Sequence, residues 1–213
     1  MSTRGDWRVY VVTDIRRARG RSHRDIALAA IRGGATAVQL RMKDEPAREI
    51  VDTAREILPL SRAAGVTLIV NDRVDVALAA EADGAHVGQQ DLPAAAARAL
   101  LGEARYLGVS AATEEEAVTA WRGGADYLGV GAVYATGTKA DAGDAIGVGR
   151  LRAIRHAVPI PLVGIGGITV ENAADVIRAG AAGVAVVTAV TLAPDMVAAT
   201  RRLREVVDAA LSL

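Results

Sequence analysis

Short apolar runs of four or five residues recur along the chain, separated by segments with helical periodicity. They are Val9–Thr13, Ala37–Arg41, Thr67–Asn71, Ala85–Gly88, Tyr106–Val109, Tyr127–Gly131, Pro161–Gly164 and Gly183–Val187. Near-continuous apolar character marks strands buried on both faces, the habit of parallel sheets. A phrase recurs just ahead of several runs: Arg32-Gly33-Gly34-Ala35-Thr36, Arg122-Gly123-Gly124-Ala125-Asp126 and Arg178-Ala179-Gly180-Ala181-Ala182, with Asp83-Gly84-Ala85 as a shorter version. Glycine accepts the left-handed conformation that closes a helix, and a basic residue before it complements the helix C-terminal dipole. These are helix-to-strand joints. Eight strands alternating with helices predict a closed (β/α)8 barrel of the TIM type, with an open doubly wound sheet as the alternative, since periodicity carries no information about closure.

The 213 residues suffice for one such barrel, so a single domain over 1–213 is expected. A hydrophobic fraction of 51%, carried by Ala, Val, Ile and Leu, suits small residues where helices pack on the sheet. Lys plus Arg (25) balance Asp plus Glu (25), and aromatics make up 3% with no Phe, so neither a basic field nor stacking platforms argue for nucleic acid. With no Cys, thiolate metal sites and cysteine nucleophiles are excluded. The first residues lack the apolar core of a signal peptide and no apolar stretch approaches a membrane span, so a soluble cytoplasmic protein is expected. Monomer and homodimer are both compatible with the sequence.

Polar groups at the ends of the strands change this picture. Three runs finish on them: Gln39-Leu40-Arg41-Met42-Lys43, Val70-Asn71-Asp72-Arg73 and Val87-Gly88-Gln89-Gln90-Asp91. Strand alternation puts Gln39, Arg41 and Lys43 on one face, with Leu40 and Met42 on the other. In a barrel Asp72 and Asp91 would project from neighbouring or nearly neighbouring strand ends, where two acids suit Mg²⁺, a hard cation wanting oxygen ligands. Each Asp could instead cap a following helix, near Val74 and Pro93 respectively. Cations beside such carboxylates are what a magnesium-bound diphosphate requires, which makes phosphate chemistry the leading expectation.

Later loops add to it. Thr136-Gly137-Thr138-Lys139 offers hydroxyls and an ammonium ahead of Ala140–Gly149, a stretch able to close over a charged ligand, or a plain exposed turn. Val163-Gly164-Ile165-Gly166-Gly167-Ile168-Thr169 and Val186-Val187-Thr188-Ala189 flank the place where barrel enzymes most often bind phosphate. Ser110 could donate into the same mouth or start a helix, and His86, within an apolar strand, reads as a core histidine satisfied by local hydrogen bonds.

Taken in order, Gln39-x-Arg41-x-Lys43, Val70-Asn71-Asp72, His86-x-Gly88-Gln89-x-Asp91, Gly108-Val109-Ser110, Thr136-x-Thr138-Lys139 and Gly164-Ile165-Gly166-Gly167-Ile168 resemble the thiamine-phosphate synthase family over about Val9 to Val190. The resemblance implies a (β/α)8 barrel that joins a hydroxymethylpyrimidine diphosphate to a hydroxyethylthiazole phosphate by a dissociative alkyl transfer. It implies that the stretch Gln39, Leu40, Arg41, Met42 and Lys43, with Asn71, Ser110 and Lys139, holds the pyrimidine diphosphate. Arg41, Lys43, Ser110 and Lys139 would be catalytic, Asp72 and Asp91 would bind Mg²⁺, and Thr136, Gly137, Thr138, Gly167, Val187 and Thr188 would bind the thiazole phosphate.

The pattern is broken in places. Many family members carry a His two residues after the strand-end serine, where this chain has Ala112; Ala132 stands where Pro is common, and Thr188 where Ser is. Three rivals share the scaffold: a thiazole tautomerase, a non-catalytic phosphate-ligand sensor and a phosphosugar isomerase or synthase. Asp91, Lys43 and Lys139 speak against the first, having no purpose where no diphosphate leaves.

Overall fold

In the computed structural model, which describes residues 5–137 and 144–212, eight parallel strands close on themselves in sequence order, with β8 pairing back onto β1. The strands are β1 (Val9–Thr13), β2 (Ala37–Leu40), β3 (Thr67–Asn71), β4 (Gly84–Val87), β5 (Tyr106–Ala111), β6 (Tyr127–Val130), β7 (Leu162–Ile165) and β8 (Gly183–Val186). The helices are α1 (His23–Arg32), α2 (Ala47–Ala63), α3 (Val74–Ala79), α4 (Ala94–Leu101), α5 (Glu114–Arg122), α6 (Gly147–Ala157), α7 (Ala173–Arg178), α8 (Thr188–Thr191) and α9 (Met196–Leu211). Closure removes the open-sheet alternative, and it leaves no strand edge unpaired. Strand limits fall within a residue or two of those read from the sequence; β5 runs furthest past its expected end, so Ser110 sits in the strand.

The two sides of each strand meet different cores. Val9, Val11, Val38, Leu40, Leu68 and Val70 belong to the large apolar layer between sheet and helices. The other alternation fills the barrel interior with Trp7, Tyr10, Ala37, Ile69, Tyr127, Val163 and Ala185. Bulky rings on one set of strands face small residues on others: a Cβ on Gly108 in β5 would strike the Tyr127 ring on β6. Such interdigitation makes the interior a packed core rather than a pore.

The recurring joint phrase works as its chemistry requires. Gly34, Gly124 and Gly180 carry positive φ immediately after α1, α5 and α7, and Arg32, Arg122 and Arg178 end those helices. Asp83-Gly84-Ala85 differs: the left-handed residue there is Glu81, and Gly84 is already in β4, where a Cβ would strike the Tyr106 carbonyl. At three of the four joints a polar residue at the strand entry extends the ladder at the lower rim. Thr36 accepts from Val9 N, Asp83 from Leu68 N and Asp126 from Leu107 N.

Arg98 on α4 stitches this rim from the outside, donating to the carbonyls of Gly124, Gly102 and Arg105 and pairing with Asp126 at 2.6 Å. Its replacement would strand a half-buried carboxylate and three carbonyl oxygens. Arg98→Ala is expected to cost about 2–3 kcal/mol, read as a lower urea midpoint with unchanged slope.

Candidate active site

The C-terminal ends of the strands enclose one cleft of about 780 Å³, the size of a small-molecule site. Lys43 follows β2. Asn71 and Asp72 come from the end of β3, Gly88 and Asp91 from the loop after β4, and Ser110 from β5. Thr136 and Gly137 enter from the loop after β6, Gly167 from the turn after β7, and Val187 and Thr188 from the end of β8. Residues read as anion handlers at seven separate places in the chain therefore share one mouth. Thr138 and Lys139 lie outside the described residues.

Asp72 and Asp91 face each other across two adjacent strand ends, and neither is a helix cap. The caps of α3 and α4 are Arg73 and Pro93, and neither makes a side-chain capping bond. Asp91 Oδ2 instead accepts from Gly88 N at 2.7 Å, which folds its loop back toward the strand. Asp72 holds a left-handed backbone, φ +61°, with its N–H on the His86 carbonyl at 2.7 Å. Burial pushes the Asp72 carboxyl above its ordinary value and the neighbouring Asp91 pushes the same way, while Lys43, at 3.0 Å, pulls it down. Two acids held this close, in a partly dry place, fit a hard divalent cation. Among the described residues no third acid or His joins them in a cluster able to hold a metal ion by itself.

The first polar run is distributed differently from its strand alternation. Only Lys43 reaches the cleft wall. Gln39 is buried inside the barrel, its amide donating to Tyr10 OH at 3.0 Å. Arg41 pairs with Asp14 at 2.6 Å, both side chains nearly buried, because the loop after β1 brings Asp14 across the end of β2. Leu40 packs in the outer core and Met42 against it. Gln39, Leu40, Arg41 and Met42 are thus absent from the described cleft lining, and the expected convergence of three long polar groups is not met in this conformation.

Several contributors escaped the sequence. His86 does sit among local hydrogen bonds, to Tyr127 OH and Ser110 Oγ, yet it also forms part of the cleft floor. Arg17, on the 3-10 turn after β1, reaches over the mouth and donates to the Gly137 carbonyl at 2.5 Å. Ser110 initiates no helix, since Thr113 caps α5. At Ala112, where an imidazole is common in the resembled family, the backbone N–H is held by the Glu116 carboxylate at 2.6 Å, and both residues line the cleft. The Gly131–Ala132 peptide is cis.

A family model described as thiamine monophosphate synthase matches residues 9–190. The chain belongs to that family. Within this thiamine monophosphate synthase family it is 58% identical to the thiamine-phosphate synthase of Moorella thermoacetica over 204 residues, covering 96% of this chain and 97% of the relative. It is 59% identical to that of Chloroflexus aurantiacus over 203 residues, 95% and 94% of the two chains. The solved structure of thiamine phosphate pyrophosphorylase from Pyrococcus furiosus superposes with a TM-score of 0.90 at 40% identity, covering 98% of each chain. Near-complete coverage at such identity makes this member of the family an enzyme, a transferase.

Proposed function

We propose that the protein joins 4-amino-5-hydroxymethyl-2-methylpyrimidine diphosphate to 4-methyl-5-(2-hydroxyethyl)thiazole phosphate, forming thiamine phosphate and releasing diphosphate. The observation that carries this is the two-sided cleft: Lys43, Asn71, Asp72, Asp91 and Ser110 on one wall, Thr136, Gly137, Gly167, Val187 and Thr188 on the other. Two phosphorylated substrates bound side by side need two such walls.

Lys43, Asn71 and Ser110, with Lys139, hold the diphosphate, and Asp72 and Asp91 would hold Mg²⁺. Arg41 reaches it only by exchanging Asp14 for the anion. Bound Mg²⁺ would supply positive charge to the leaving diphosphate. The bond from the pyrimidine methylene carbon to the diphosphate oxygen breaks first, both electrons leaving with the oxygen. The aminopyrimidine ring spreads the resulting cation, and the thiazole nitrogen lone pair then forms the new C–N bond. No protein nucleophile takes part, so these side chains act by binding, orienting and screening the departing charge. Thr136, Gly137, Thr138, Gly167, Val187 and Thr188 hold the thiazole phosphate beside it. We place this activity in the cytoplasm, with small molecules as the only partners it needs.

Purified protein given both substrates and Mg²⁺ should release diphosphate and thiamine phosphate in equal amounts, and excess chelator should stop both. Thiazole isomerisation without diphosphate release would refute the synthase reading. Product formed at full rate in chelator would remove the metal from it.

A further inference from the structure

Below the cleft floor, a line of buried polar groups crosses the barrel interior. Gln39 Nε2 lies 3.0 Å from Tyr10 OH, Tyr10 OH 2.9 Å from Tyr127 OH, Tyr127 OH 3.2 Å from His86 Nδ1, and His86 Nε2 3.0 Å from Ser110 Oγ. Five residues from β2, β1, β6, β4 and β5 are connected end to end, and four of them are buried.

We propose that Gln39, Tyr10, Tyr127 and His86 form a one-directional hydrogen-bond relay that fixes Ser110 as a donor into the cleft. The inference rests on the synthase reading only for what Ser110 donates to, a departing diphosphate. The direction follows from donor arithmetic. An amide nitrogen can only donate, so Tyr10 accepts from Gln39. The Tyr10 hydroxyl is buried, a buried hydroxyl proton without an acceptor is costly, and Tyr127 OH at 2.9 Å is the acceptor within reach, so that proton goes on to Tyr127. Tyr127, having accepted, gives its own proton to His86 Nδ1. A neutral imidazole that accepts at Nδ1 carries its proton on Nε2 and donates it to Ser110 Oγ. The serine oxygen is then satisfied from below, and its own proton is left for an anion above.

The packing around the line is specific to it. A Cβ on Gly108 would lie 2.3 Å from the Tyr127 hydroxyl and 2.4 Å from His86 Nδ1, and one on Gly129 would lie 2.9 Å from His86 Cε1. Two strand glycines therefore open the space in which ring and phenol meet. Trp7 stacks on Tyr127 with ring centroids 4.0 Å apart and holds the phenol in place. Burial pushes both phenols above their ordinary range, so the relay moves no charge and transmits orientation alone. Gln39, Tyr10, Tyr127 and His86 are positioning residues on this account.

Ring ¹⁵N resonances of ¹⁵N-histidine-labelled, ligand-free protein test the direction directly. His86 is distinguished from His23 and His156 by the signal lost in His86→Gln. The wild type is expected to hold His86 with the proton on Nε2, and Gln39→Met, which removes the first donor, should mix the two tautomers. A wild-type proton on Nδ1, or an unmixed Nε2–H signal in Gln39→Met, overturns the relay. In turnover, Tyr127→Phe should lower kcat/KM roughly tenfold and have no further effect in a Ser110→Ala background. A full tenfold loss persisting in that background would mean that Tyr127 does not act through Ser110. The tautomer measurement needs no activity, so an Nε2–H ring in a protein that makes no thiamine phosphate would refute the synthase reading and leave the relay standing.

Discussion

Asp72→Asn and Asp91→Asn should each lower kcat/KM by on the order of 10³-fold at saturating Mg²⁺ while leaving the fold intact. The substitutions are chosen so that geometry survives the loss of charge. Asp72 has φ +61°, a conformation that Asn tolerates better than other side chains, so the backbone and its bond to the His86 carbonyl are kept. Asn at 91 still offers an oxygen to the Gly88 N–H, the contact that holds the loop. What disappears is negative charge where Asp72 and Asp91 meet.

The pH dependence gives this prediction a second arm that needs no substrate. Burial and Asp91 raise the Asp72 carboxyl above its unfolded value, so the native metal-free protein binds that proton more tightly than the unfolded chain. Stability therefore falls as pH rises from the ordinary carboxylate range through the raised value, and at neutral pH the ionised pair is a cost. Asp72→Asn removes that cost. Metal-free Asp72→Asn should melt no lower than the wild type at neutral pH, and Mg²⁺ should raise the melting temperature of the wild type but not of the variant. A wild type indifferent to Mg²⁺ both in melting and in turnover would show that the two acids serve another purpose.

How much of this was readable in the chain depends on whether the signal was local. The joints were, because a left-handed glycine after a basic helix end leaves its mark within five residues, as at Arg32-Gly33-Gly34. The placement of Asp72, Asp91, Ser110, Gly167 and Thr188 at the cleft was, because each lies at or within a few residues of the end of an apolar run whose C-terminal end must face the mouth. Closure was not, since it depends on β8 meeting β1, elements at opposite ends of the sequence. Nor were the fates of Gln39 and Arg41. Alternation puts them on the face of Lys43, yet a barrel interior lies beneath Gln39, and the loop from β1 sets Asp14 against Arg41. Tyr10 and Tyr127 lie within apolar runs, and only their mutual distance reveals the hydroxyls as a connected pair.

Gly167→Val should raise KM for the thiazole phosphate about 100-fold with a much smaller effect on binding of the pyrimidine diphosphate. Gly166 and Gly167 both have positive φ, +97° and +63°, which a β-branched residue adopts only under strain. The space is closed as well: a Cβ on Gly167 would lie 2.7 Å from the Ala135 carbonyl oxygen and 2.8 Å from Tyr134 Cβ. Those neighbours belong to the loop that carries Thr136 and Gly137. Val133 N and Tyr134 N tie that loop to the carbonyls of Ile165 and Gly166 at 2.8 and 3.0 Å, so one turn and one loop form a single wall. Pushing them apart would displace the phosphate contacts on both by a fraction of an ångström or more, and misplacement on that scale costs about two orders of magnitude. The opposite wall, with Lys43, Asp72 and Asp91, is anchored on β2 to β4 and does not share this loop. Separate titrations of the two substrates distinguish the walls. If Gly167→Val instead weakened pyrimidine diphosphate binding and spared the thiazole phosphate, the two sides of the cleft would have to be exchanged.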